Sequence, residues 1–121
     1  MTQYAGQLMT TGAQAETYAN HFIAVHLREI GGGKTYSQLS AEALTQPNNA
    51  KLQAQVDTVF KGTTLRGLLL NAYAFWQIGQ IALYAAIAAF IGGAAFLILS
   101  ILGFLHMRRT PAEAELQPAG V

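Results

Sequence analysis

Ile81 to Leu105 reads IALYAAIAAFIGGAAFLILSILGFL. The run holds no Asp, Glu, Lys, Arg or His, and its only polar side chains are the hydroxyls of Tyr84 and Ser100. As a helix it is roughly 37 Å long. A bilayer core of about 30 Å takes roughly 20 apolar residues. The stretch therefore predicts a membrane span with room to tilt, and the buried helix of a small soluble domain is a poor alternative.

What flanks the run sets its ends. Arg66 to Gln80 (RGLLLNAYAFWQIGQ) is apolar but interrupted by Asn71, Gln77 and Gln80. A hairpin of two short spans turning at Gly79 has no loop to turn in, because no Pro, charge or cluster of turn residues lies between Leu68 and Leu105. One long helix over 64–107 is expected instead, containing the span 81–105, with its first turns above the lipid core. Tyr73, Phe75, Trp76 and Tyr84 supply an aromatic belt at that end. His106, Arg108 and Arg109 close the other, and Pro111 stops the helix. Residues 108–121 read as a polar, disordered tail. Arg108 and Arg109 abut the apolar run, which predicts a cytoplasmic C-terminus and an N-terminal region outside the plasma membrane.

Composition narrows the function. The 121 residues carry 7 Lys and Arg against 6 Asp and Glu. That balance leaves no basic footprint for nucleic acid and no polybasic lipid-binding cluster. There is no cysteine, which excludes disulfides, thiolate metal sites and cysteine nucleophiles. The first twenty residues lack a basic start and an apolar core, so no signal peptide is expected there. The part before the span is small enough to lean on the membrane helix, a second copy or a partner.

That part, residues 1–61, reads as helical. Ala15, Tyr18, Ala19, Phe22, Ile23, Leu27 and Ile30 recur on one face and predict a helix over about 13–30. Gly31-Gly32-Gly33 should end it in the left-handed conformation. In Lys34 to Gln46, Tyr36 and Leu39 are placed to pack back on that helix, and Ser40 to cap a single turn. Pro47-Asn48-Asn49 breaks the chain. A second helix is expected over 50–61, with Leu52, Val56, Val59 and Phe60 on one face. Gly62-Thr63-Thr64 either kinks it or separates it from the long helix. The fold class is therefore all-α: a single-pass transmembrane helix preceded by a small helical N-terminal region.

Few motifs carry chemistry. Gly33-Lys34-Thr35 ends like a phosphate-binding P-loop, but that motif needs a glycine where Arg28 stands and a strand before it, so no nucleotide is expected. His21 and His26 point about 140° apart on a helix. His26 and Glu29 can meet, but two ligands do not close a metal site, and no cofactor is expected. Asn71, Gln77 and Gln80 stand at the membrane mouth, where they can hydrogen-bond another helix or sit among headgroups. The most informative feature is a ridge of small residues. Ala85, Ala89 and Gly93 are spaced by four, and Ala82 and Ala86, with Ala88 and Gly92, extend it. Small side chains let a second helix approach closely.

Three pieces also carry a resemblance: AETYANHFIAVHLREIGGGKTYSQLS (Ala15 to Ser40), TLRGLLLNAYAFW (Thr64 to Trp76), and the Gly/Ala-rich span followed by Arg-Arg. In that order they resemble a set of small actinobacterial membrane proteins of unknown function. Many of those carry the automatic name aromatic ring-opening dioxygenase small subunit. The resemblance implies a membrane helix after an "LR" entry and an N-terminal region outside the cell. Relatives usually have a further N-terminal apolar segment, which this sequence does not show. The inherited name implies a metal-dependent oxygenase, yet a non-heme iron site wants two His and a carboxylate converging, and these residues do not assemble one. The reading that remains is a non-catalytic accessory or structural subunit of a larger membrane complex, touching lipid and a membrane-protein partner through the small-residue ridge. The alternative is self-association through the same ridge.

Overall fold

The computed structural model describes residues 2–110 and is all-helical. A 3₁₀ turn, Thr2–Tyr4, precedes α1 (Gly12–Tyr18), a π-helical turn (Ala19–Ile23), α2 (Ala24–Ile30), α3 (Tyr36–Thr45) and α4 (Ala50–Arg109). Two compact units divide the chain, Met1–Gln80 and Ile81–Val121.

Local chemistry starts and stops each element of the first unit. Thr11 caps α1 through a capping box with Gln14: the Thr11 hydroxyl accepts from Gln14 N, and the Gln14 side chain accepts from Thr11 N. Thr35 and Gln38 repeat the device at the start of α3. The cap of that helix is thus Thr35 and not Ser40, and α3 is ten residues rather than a single turn. Asn49 caps α4 by accepting from Leu52 N at 3.1 Å. At the end of α2, Gly33 N donates to Arg28 O and Gly32 N to Glu29 O, the paired bonds of a Schellman motif. Gly32 (φ 59°) and Gly33 (φ 80°) take the left-handed conformation. Gly31 does not (φ −76°); a Cβ there would lie 2.5 Å from Lys34 O, so glycine is required for space. Gly32→Val and Gly33→Val should each destabilise the turn by about 1–2 kcal/mol. Faster proteolysis between residues 30 and 36 would register the change, and unaltered cleavage would argue against the cap.

Packing comes from an antiparallel hairpin. Gly12 meets Trp76, Asn20 meets Arg66, Leu27 meets Gly62, and Ile30 O accepts from Gln55 Nε2, so numbers rise on one arm as they fall on the other. Most covered residues of α4 up to Gln80 follow three- and four-residue steps, Leu52, Val56, Val59, Gly62, Arg66, Leu69, Tyr73, Trp76 and Gln80, with half-buried Gln55, Leu70 and Gln77 beside them. This is the seam of a coiled-coil-like pair. Opposite it, Gly12, Ala15 and Ala19 are small and buried, which lets the helices approach where α4 presents Tyr73 and Trp76. The contact face on this arm steps by four from Ala19 to Ile23 and again to Leu27. In a regular helix each such step overshoots a full turn by about 40°. The wider π turn over Ala19–Ile23 absorbs that overshoot and keeps the face on α4.

Behind the hairpin ends, α3 closes the core. Leu39, Ala43, Leu52 and Val59 form its buried cluster, with Leu27 and Val56 against it. Tyr36 and Phe60 add a tilted ring pair at 5.4 Å.

No break occurs at Gly62-Thr63-Thr64. The expected helices over 50–61 and 64–107 are one element, α4, which runs to Arg109. Gly62 serves close approach instead, since a Cβ there would meet Leu27 Cδ2 at 2.3 Å. Arg108 and Arg109 belong to this helix, and the rest of the expected polar tail, 111–121, lies outside the described residues.

In the second unit every residue of Ile81–Leu105 is exposed except half-buried Gly92. The apolar part of α4 is long enough to cross a bilayer.

Candidate functional site

Two regions carry the residues that the sequence singles out. The first is the surface of Ile81–Leu105. Ala82, Ala85, Ala86, Ala89 and Gly93 are all exposed, beside half-buried Gly92. A Cβ added at Gly92 or Gly93 meets nothing within 4 Å. Two seams share Ala89 and Gly93. One steps by four through Ala85, as in right-handed crossings of membrane helices. The other alternates four and three through Ala82, Ala86, Ala89, Gly93 and Phe96, the spacing of left-handed pairs. Large side chains stand clear of protein around them: Phe90 is 81% and Phe96 74% exposed. Tyr84 is exposed. At the end of α4, His106, Arg108 and Arg109 are exposed, and the Arg108 guanidinium lies 5.8 Å from the Phe104 ring centroid.

The second region is the seam of the first unit. Tyr73 and Trp76 are half-buried there, with ring centroids 6.3 Å apart. A Cβ built on Gly12 would lie 2.4 Å from Trp76 Cβ, so this indole is committed to α1. Gln77 Nε2 donates to the Tyr73 hydroxyl at 2.7 Å, which engages its amide within α4. Gln80 is half-buried and Asn71 exposed.

A polar chain crosses the hairpin that the sequence reading did not single out. Asn20, in the π turn, donates to Glu16 Oε1 at 2.6 Å, and its Oδ1 accepts from an Arg66 terminal nitrogen at 2.8 Å. The two ends of that bond are 46 positions apart, so no local spacing marks it. The π turn itself leaves no signature in apolar periodicity beyond two consecutive four-residue steps.

The histidines do not converge. Tyr18, Phe22 and His26 stack in sequence, with centroids 4.9 and 4.2 Å apart. His26 Nδ1 lies 2.9 Å from Phe22 O; a carbonyl only accepts, so Nδ1 is the donor in that bond. Among the described residues no three His, Asp or Glu side chains cluster as metal ligands would. Gly33-Lys34-Thr35 forms the Schellman turn and the α3 cap, with Lys34 paired to Glu42. Comparison with protein-family models, with curated proteins and with solved structures finds no match.

Proposed function

We propose that this chain is a single-pass plasma-membrane protein and a non-catalytic accessory subunit of a larger membrane assembly, docked through the small-residue face of Ile81–Leu105. The observation that carries the reading is the uncovered apolar surface of that stretch. Leaving a large apolar side chain in water costs about 1.5–3 kcal/mol. Over this stretch the total is on the order of tens of kcal/mol, above the roughly 5–15 kcal/mol by which a domain is stable. Lipid removes the cost. Lipid alone does not explain why small residues line one face, and close packing of a second helix does. The N-terminal helical unit, built on its own hairpin and core, then lies over the partner outside the cell.

Extraction in a gentle detergent followed by mass measurement tests this. A discrete species containing other membrane subunits supports it; a bare monomer at every detergent level defeats it. A mass at an integer multiple of the chain favours the second reading, self-association through the same seams. The oxygenase implied by the family resemblance is a third reading, and stoichiometric iron or zinc in the purified protein would support it.

Orientation has its own test. Arg108 and Arg109, abutting the apolar run, support a cytoplasmic C-terminus. Thr45→Cys should react with an impermeant thiol reagent on intact cells, and Leu116→Cys should react only after lysis. The reverse pattern would invert the topology.

A further inference from the structure

We propose that a cleft among α2, α3 and α4 binds a phosphate-sized oxyanion, held by Arg28, Lys34 and Arg66. The cleft has a volume of about 380 Å³. Three cationic side chains line it, with the hydroxyl residues Thr35, Tyr36, Ser37 and Thr63, and no carboxylate of the described residues does. Cations around one cleft favour an anion between them.

Arg66 carries the inference furthest. One terminal nitrogen is bound to Asn20, which is itself held by Glu16, so the guanidinium is fixed in place. Its Nε is buried and has no hydrogen-bond partner among the described residues. A buried donor left without an acceptor is costly and rare, and it calls for a water or an ion. A tetrahedral oxyanion offers several acceptors and the opposite charge, and a guanidinium binds such groups through paired N–H donors. The first-turn N–H groups of Tyr36 and Ser37 have no intrahelical acceptor, and both residues line the same cleft. Lys34, which also lines the cleft, is shared with Glu42, and Arg28 is exposed. This is unlike a P-loop: the recognition rests on side chains brought from α2, α4 and the turn before α3, and the Gly33-Lys34-Thr35 backbone is used up in capping.

The ligand chemistry is a phosphate monoester or inorganic phosphate, and it has two sources, a soluble compound or an anionic lipid headgroup. The test uses the full chain in phosphatidylcholine nanodiscs titrated with inorganic phosphate, and, in a second arm, in discs containing phosphatidic acid without added phosphate. Hydrogen exchange at the amides of 34–38 reads occupancy in both. Saturable protection is expected, weakened about tenfold or more by Arg66→Gln and by Arg28→Gln, and unchanged by Lys61→Gln, an exposed cation paired with Asp57 outside the cleft. Arg28 is on the surface, so its variant decides the matter if Arg66→Gln fails to fold. Saturation by free phosphate identifies a soluble ligand; protection confined to phosphatidic acid discs identifies the headgroup. No saturable protection in either arm, which is the result if water satisfies Arg66, overturns the proposal. So does protection that survives both Arg28→Gln and Arg66→Gln.

Discussion

Gly93→Leu should abolish co-purification with the partner subunit, or with a second copy, while leaving membrane insertion intact. Gly93 lies on both seams of the small-residue face, and a Cβ built there meets nothing within 4 Å among the described residues. In lipid, helices are not driven together by the hydrophobic effect; they associate through close packing. Each atom pair contributes only about 0.1–0.2 kcal/mol at contact distance, and the attraction falls steeply once backbones are pushed apart. A leucine at the crossing point separates many such pairs together. On a lipid-facing surface the same substitution is harmless, because leucine partitions into lipid readily. Ile91→Ala, about 160° around the helix from Gly93 and exposed, is the control and should leave association unchanged. Ala85→Leu and Ala86→Leu then report handedness: the first disrupts the seam stepping by four, the second the seam alternating four and three. Wild-type association by an inserted Gly93→Leu protein would remove this face as the interface and move attention to the N-terminal helices.

Leu39→Ala should cost the N-terminal unit about 2–5 kcal/mol, the range for emptying a buried leucine site. Leu39 is 2% exposed and packs with Ala43, Leu52 and Val59, itself 2% exposed. At about 0.05–0.15 kcal/mol per residue, a unit ending at Gln80 has a stability of the same order, so the loss consumes much of it. Hydrogen exchange on the full chain in lipid should show amides of α2 and α3 losing protection while those of 81–105 keep theirs. Leu44→Ala, at a residue 82% exposed, should change stability by no more than about 0.5 kcal/mol. Equal effects of the two substitutions would mean that α3 does not close this core.

Some features were legible from residues alone because their causes are local. An uncharged apolar run of this length favours a helix in any surroundings that exclude water, so Ile81–Leu105 could be read without knowing what lies beside it. The end of α2 at the glycine run follows from the backbone freedom of Gly32 and Gly33, again a property of those residues. The apolar face of the helix over 12–30 was visible for the same reason, since periodicity is carried by the sequence itself.

Other features were decided only when distant segments met. Gly62 looks like a break, yet its helix penalty is only about 1 kcal/mol, and the close approach of Leu27 makes the missing side chain an advantage, so α4 continues. Lys34 to Gln46 has a weak apolar pattern, and it becomes α3 because Leu39 and Ala43 find cover on α4. Trp76, readable as a membrane-interface residue, has its ring set against Gly12 by the hairpin. The cationic cleft was beyond any local reading: Arg28, Lys34 and Arg66 come together only because α2 runs back along α4, and burial of Arg66 Nε is a property of that packing alone. Local backbone and partition energies are additive along a chain and can be read from it. Contacts between remote residues depend on which surfaces cover each other, and that is settled by the tertiary structure.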